Sequence, residues 1–151
     1  MVAAAGGLGH SWVMANLESP EKPPRVQTRI LAAPKIRQVY WCDFWRDAHL
    51  PEMWKTRPVV VLSYNNHLHS PCLVIPLSTV DHDPKDPWAY KLRFEIDGVA
   101  SWAVCNMPST VAPSRFTQFS GAIPLMPPAD FNEILARLMK WLPRPFPLPN
   151  G

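Results

Sequence analysis

Paired cysteines, long apolar runs and dense basic clusters are all missing from this chain. Its three cysteines, Cys42, Cys72 and Cys105, are odd in number and none stands in a Cys-x-x-Cys pair. That spacing gives no disulfide framework. Two of the three sit in apolar, strand-like text, so reduced thiols buried in a core are expected. No apolar stretch approaches the roughly 20 residues that span a bilayer, and the Ala-Gly-rich start has no basic n-region of a secretory signal. A cytoplasmic protein with no membrane partner is expected. Lys and Arg number 15 against 12 Asp and Glu, a net charge of +3. This mild basic bias favours anionic partners but falls short of the density of a dedicated duplex-DNA binder. His67, His69, Cys72 and His82 match no common zinc spacing, so no metal is expected. No internal repeat is visible.

Proline, by contrast, is abundant. The 19 prolines of the 151 residues gather in Ser19-Pro20-Glu21-Lys22-Pro23-Pro24, in 124–128 and in 143–149, where they break regular structure. Residues 1–34 carry no helical or alternating period and read as a flexible arm; Met14 within it offers a second start. Residues 35–142 read as one domain and 143–151 as a flexible Pro-rich tail. A chain of this length buries roughly 70% of its unfolded surface if all of it folds.

Within the domain, β-formers dominate. Val39-Tyr40-Trp41-Cys42-Asp43-Phe44 predicts a strand. A polar loop with Arg46, Asp47, His49, Glu52 and Lys55 leads to Arg57 and then to Pro58-Val59-Val60-Val61-Leu62-Ser63, apolar on both faces as in a barrel wall. Pro58 suits a strand's first position. Cys72-Leu73-Val74-Ile75-Pro76-Leu77 runs straight into Ser78-Thr79. Tyr90 to Ile96 alternates up to the hairpin turn Asp97-Gly98, and Trp102 to Cys105 returns as its partner. Phe116 to Ile123 predicts a further strand. The chain closes with a helix: Pro128 suits the first turn, Asp130 and Glu133 complement the positive end, and Phe131, Ile134, Leu135, Leu138 and Leu142 make one apolar stripe before Pro143. Short strands plus one amphipathic helix predict a mainly β fold, a small barrel with the helix packed on it. Trp41 and Trp102 are expected in the core.

Three blocks in this order, Val39 to Phe44, Arg57-Pro58-Val59-Val60-Val61-Leu62-Ser63 and Val74-Ile75-Pro76-Leu77-Ser78-Thr79, resemble the MazF/PemK toxins of bacterial toxin–antitoxin systems. The resemblance implies an SH3-like barrel that cleaves single-stranded RNA without metal or other cofactor. It implies a homodimer inhibited by a cognate antitoxin that binds DNA together with it. By that resemblance Arg57 falls on the catalytic arginine, Ser78 on the catalytic threonine or serine, and Glu52 on an acidic loop residue important in some members. The chain departs from the family at Arg37-Gln38, where a Gly-Asp pair is usual, and at Lys55, where glycine is frequent.

The chemistry suits these residues. Cleavage by the RNA's own 2′-hydroxyl leaves the protein to move protons and to stabilise charge on a five-coordinate phosphate. A guanidinium fork donates two parallel hydrogen bonds to non-bridging oxygens. Its pKa above about 12 assigns Arg57 to electrostatic stabilisation rather than acid catalysis, and the Ser78 hydroxyl adds an oriented donor. Both groups must then meet at an accessible mouth of the fold. Glu52 and His49 are the candidates for proton transfer. Unpaired RNA is gripped by aromatic stacking and basic tracks, for which Trp45, Arg46, Trp54, Lys55, Thr79 and Lys85 are the candidates, with Trp88 nearby. Taken singly, a surface arginine before a strand is ordinarily just solvated, and a serine there suits a turn. Three other functions share this pattern: a non-catalytic SH3-like binding module, a gyrase-inhibiting toxin of the CcdB type, and a degenerate, inactive member of the family.

Overall fold

Val59, Val60 and Val61 are each 0% exposed, and this β-branched run, covered on both faces, forms the centre of a seven-stranded sheet. The computed structural model describes residues 21–150. Its elements are β1 Val39–Asp43, β2 Thr56–Val61, β3 Cys72–Ser78, β4 Ala89–Lys91, β5 Trp102–Val104, β6 Ser109–Val111, a one-turn 3-10 helix Pro113–Arg115, β7 Phe116–Thr117 and helix α1, Pro128–Trp141. The strand order is β4-β5-β3-β2-β1-β7, with β6 also pairing with β3, and every strand pair among the described residues is antiparallel.

The mainly β class with a C-terminal helix is as expected, but the sheet does not close into a barrel: β4 and β7 remain edges. Both edge strands are shorter than predicted. The Tyr90–Ile96 strand stops at Lys91; the Leu92 N–H still donates to the Ser101 carbonyl at 3.0 Å, and the Arg93 N–H, on the side away from β5, donates to the Asp130 carboxylate at 3.1 Å. The Asp97-Gly98 turn does form, both residues at positive φ (52° and 74°), closed by paired hydrogen bonds between Ile96 and Val99. The Phe116–Ile123 strand keeps two residues before the chain bends, with Gly121 at φ 83°. Strand β6 has no counterpart among the predicted strands.

The sheet's alternation feeds two cores. Val39, Val60, Ile75, Leu77 and Ala103 face α1, meeting Phe131, Ile134 and Leu138. On the other face Tyr40, Cys42, Val59, Val61, Cys72 and Val74 join Val111, Phe116 and Ile30. Each fully buried valine contributes roughly 1.5–3 kcal/mol. All three cysteines are free and buried. The helical stripe ends at Leu138, since Leu142 is exposed and caps the helix C-terminus through its N–H to the Leu138 carbonyl. Asp130 is not a solvated dipole partner. It is buried and accepts hydrogen bonds from the Tyr90 hydroxyl (2.7 Å) and Arg93 N–H, which ties α1 to β4. Glu133 pairs with Arg137 at 2.6 Å.

Residues 21–34, predicted as part of the arm, carry no helix or strand. Ile30 is nevertheless buried in the second core, and Arg29 pairs with Asp43 at 2.9 Å. The rest of the predicted arm, including the second start at Met14, lies outside the described residues. Residues 143–150 are exposed and irregular. Among the described residues no helix is long and apolar enough to cross a membrane.

Candidate functional site

A proline prepares the site. The β2–β3 ladder runs Val61↔Val74, Val60↔Ile75, Val59↔Pro76 and stops there. The nitrogen of Pro58 faces β3 but carries no N–H to continue it. Pro58 is thus not the first residue of β2, as predicted, but the third. Extending the register by two residues sets Arg57 opposite Ser78, beyond the last backbone pair, and there side chains take over: Arg57 Nη1 donates to Ser78 Oγ at 3.5 Å. Both lie on the sheet face opposite α1, by alternation with Val59 and Val74.

Proximity is as expected; accessibility is divided. Arg57 is half-buried, whereas Ser78 is only 5% exposed, because the turn after β3 folds back and the Val80 N–H donates to Ser78 Oγ at 3.2 Å. The hydroxyl oxygen therefore accepts from Arg57 and Val80, and its own proton has no acceptor among the described residues. The guanidinium is in no ion pair among the described residues, and its Nε is buried without a hydrogen-bond partner. An unsatisfied charged donor is costly in a stable core and recurs where a ligand is to be met.

The other predicted residues divide. Glu52 is exposed, and its Oε1 accepts from the His49 N–H at 2.6 Å while its own N–H donates to the His49 carbonyl. No hydrogen bond or ion pair joins it to Arg57. Trp45, Arg46 and Trp54 come together with Asp43, Phe44, Asp47, Thr56 and Arg115 around a cavity of about 410 Å³. The Arg115 guanidinium lies 5.6 Å from the Trp45 ring and Lys55 Nζ 4.8 Å from the Trp54 ring. Arg57 and Ser78 do not line this cavity. Thr79 is exposed beside Ser78; Lys85 is exposed in the following loop, where its N–H donates to Asp83 at 2.9 Å. Trp88 is half-buried.

Charge in the cavity is set from below. The Thr56 hydroxyl, followed by the Arg29 guanidinium, holds the Asp43 carboxyl below its usual range. Arg115 Nη1 donates to the Asp43 carbonyl at 2.9 Å. Arg115 and Asp43 were not among the predicted site residues, and a contact between positions 72 apart leaves no local sequence signal. Burial pushes the thiols of Cys42, Cys72 and Cys105 up to about 12, which removes them as nucleophiles. His67 and His69 are exposed while Cys72 is buried, so these three do not converge.

Trp41 is half-buried and packs against the core beneath α1, whereas Trp102 is half-buried and belongs to neither core. Trp41 stacks on Phe119, ring centroids 4.9 Å apart. Trp102 sits directly across from Ser78 in the β3–β5 ladder. The departures from the family pattern also have a structural reading. Arg37 holds φ 71°, a conformation that favours glycine, and its Nε donates to the Met126 carbonyl at 2.8 Å. Gln38 Oε1 accepts from the Tyr40 hydroxyl (2.8 Å) and the Lys35 N–H (2.7 Å), an acceptor role of the kind a carboxylate oxygen also fills.

Comparison with known proteins gives one family and one fold. The sequence model described as "PemK-like, MazF-like toxin of type II toxin-antitoxin system" matches residues 35–142. Among solved structures, the chain is similar to an endoribonuclease in complex with its cognate antitoxin from a mycobacterial species, at 20% identity and TM-score 0.55, covering 76% of this chain and 100% of that one. It is similar to an endoribonuclease from a mycobacterial species at 20% identity and TM-score 0.56, covering 79% and 100%. It is also similar to MazF from Deinococcus radiodurans at 19% identity and TM-score 0.59, covering 72% and 94%. The search among curated proteins found no match.

Proposed function

Because the chain belongs to the PemK-like, MazF-like toxins of type II toxin–antitoxin systems, we propose that it is an endoribonuclease that cuts single-stranded RNA with the substrate's own 2′-hydroxyl as nucleophile. The observation that carries this is the contact between Arg57 Nη1 and Ser78 Oγ, in which the guanidinium has no carboxylate partner among the described residues. In the reaction the 2′-hydroxyl gives up its proton to a base, O2′ bonds to phosphorus, the P–O5′ bond breaks and O5′ takes up a proton, so the products carry a 2′,3′-cyclic phosphate and a 5′-hydroxyl. No metal or cofactor enters the scheme. Arg57 neutralises charge on the non-bridging oxygens, and Ser78 orients the guanidinium while keeping one O–H to donate.

Glu52 is the proposed proton-transfer group. Its Oε2 stays free while Oε1 holds the His49 N–H, and the exposed loop carries it on the surface a substrate approaches. The cavity of Trp45, Arg46 and Trp54, with Lys55 on its rim and Thr79 and Lys85 beyond, is proposed to grip the flanking RNA by stacking and charge. A homodimer, inhibited by an antitoxin whose acidic or amphipathic segment covers this surface, completes the proposal; the mycobacterial endoribonuclease bound to its cognate antitoxin supports that partner class.

The test is cleavage of labelled single-stranded RNA with chelator present. Arg57→Ala is expected to lose about 100- to 1,000-fold in rate, with Arg57→Lys recovering little because an ammonium has no planar fork. Wild-type rates in folded Arg57→Ala would end the assignment. Glu52→Gln is expected to remove the acidic limb of the pH–rate profile, and an unchanged limb excludes Glu52 as the base. The burial of Ser78 favours one second reading, a family member without catalysis. It predicts no cleavage by the wild type at any protein concentration and no growth arrest on induced expression.

A further inference from the structure

One row of residues crosses four strands beside the Arg57–Ser78 contact. Ser78 on β3 faces Trp102 on β5, and Trp102 faces Lys91 on β4; Arg57 on β2 reaches Ser78 from the other side. Directly opposed residues in a ladder project from the same face, and strands lie about 4.8 Å apart. A cation, a hydroxyl, an indole and a second cation thus succeed one another at about one strand spacing each. The neighbouring row, Leu77, Ala103 and Tyr90, goes to the core beneath α1, so the Trp102 row occupies the opposite face.

The indole is held in place yet left half-open. Trp102 Nε1 donates to Asp81 Oδ1 at 3.4 Å, and the His82 ring lies against it, centroids 5.7 Å apart and tilted by 45°. The segment that supplies Asp81 and His82 is the same turn whose Val80 N–H donates to Ser78 Oγ. The turn therefore joins the hydroxyl and the indole into one surface. A half-buried tryptophan fixed by its N–H, with an exposed lysine beyond it, suits a flat apolar ligand attached to an anion.

We propose that Trp102, braced by His82 and Asp81 and flanked by Lys91, is a stacking subsite for one unpaired nucleobase adjacent to the phosphodiester held by Arg57 and Ser78. It rests on the endoribonuclease reading and adds a base-contacting position on the strands, separate from the aromatic cavity of the β1–β2 loop. Stacking is tolerant of base identity, because every base has a π-face. The subsite therefore sets how the strand is threaded across β3, β5 and β4 more than which base is chosen.

The experiment uses the full chain and single-stranded RNA oligonucleotides spanning a cleavage site mapped on a long transcript. Each oligonucleotide carries an abasic nucleotide at one position. For the wild type, one abasic position next to the cut is expected to lower kcat/KM by about 5- to 150-fold, the range of one base–aromatic stack. Trp102→Leu, which keeps apolar volume, is expected to lose the same factor on intact RNA and to be indifferent to that abasic position. Trp102→Phe is expected to recover most of the loss, and His82→Ala to lose less than Trp102→Leu. If Trp102→Leu does not fold by circular dichroism, the phenylalanine and His82 variants carry the same comparison. Trp102→Leu cleaving intact RNA like the wild type, or keeping the full abasic penalty, overturns the subsite alone. Wild-type protein that cuts none of the oligonucleotides overturns the endoribonuclease reading and the subsite with it.

Discussion

Arg37 shows how one side chain can hold a conformation its backbone resists. An L-residue with a Cβ in the left-handed region costs roughly 1–2 kcal/mol, and Arg37 sits there at φ 71°. Its N–H donates to the Val61 carbonyl (2.9 Å), its carbonyl accepts from the Met126 N–H (2.9 Å), and its Nε reaches the Met126 carbonyl. Arg37→Ala keeps the strain and loses the side-chain bond, whereas Arg37→Gly loses the bond and relieves the strain. Urea denaturation is expected to rank Arg37→Gly above Arg37→Ala by about 0.5–1 kcal/mol, the strain relief being partly offset by the greater freedom of glycine in the unfolded chain. Equal stability of the two variants would show that the positive φ costs nothing here.

Among the elements, α1 is docked by apolar burial but oriented by a buried acid. Phe131, Ile134 and Leu138 give it a face, and such a face tolerates sliding. Asp130 permits less, because its Oδ1 accepts from both the Tyr90 hydroxyl and the Arg93 N–H while the Arg137 guanidinium lies 4.6 Å from the Tyr90 ring. Asp130→Ala strands a phenol and an amide and is expected to cost about 2–4 kcal/mol, from roughly 1–3 for each unsatisfied buried group with part recovered by water. Asp130→Asn keeps an acceptor oxygen and is expected to lose less. The readout is a lower urea midpoint with an unchanged m-value; a changed m-value would mean that the helix detaches rather than loosens.

At the scale of the whole molecule, pH links the two cores. Burial raises Cys42, Cys72 and Cys105 from their ordinary 9.0 to about 12. Burial, followed by the hydrogen bond to Asp130, raises Tyr90 from 10.0 to about 12. A raised folded pKa means that above pH 9 the unfolded chain releases protons the folded chain keeps, so stability falls as pH rises. The contribution is complete below pH 9 and is lost between there and about pH 12, by up to about 1.4 kcal/mol per group per pH unit. Under reducing conditions the urea midpoint is expected to hold steady from pH 7 to 8.5 and to drop steeply above 9.5. A midpoint as high at pH 10.5 as at pH 8 would contradict the burial of the thiols.

Residue type and short-range period determined a good deal by themselves. Val39 to Asp43 declared a strand through its β-formers, and the valine run of β2 and Cys72 to Ser78 through apolar residues on both faces. The Asp97-Gly98 turn followed from positive φ, and α1 from a 3.6-residue stripe beside prolines. Arg57 and Ser78 stood out through the blocks that contain them. The tertiary structure alone decided what depends on distant partners. Asp130, 40 positions from Tyr90, leaves the surface for the interior and ties α1 to β4. Arg115 crosses 72 positions to Asp43 and enters the loop cavity, and Trp102 leaves the expected core to stand beside Ser78. Local text encodes which backbone a segment prefers. It does not encode which buried donor a distant acceptor will satisfy, and in this fold those long-range hydrogen bonds set how the helix is seated on the sheet and what surrounds the site.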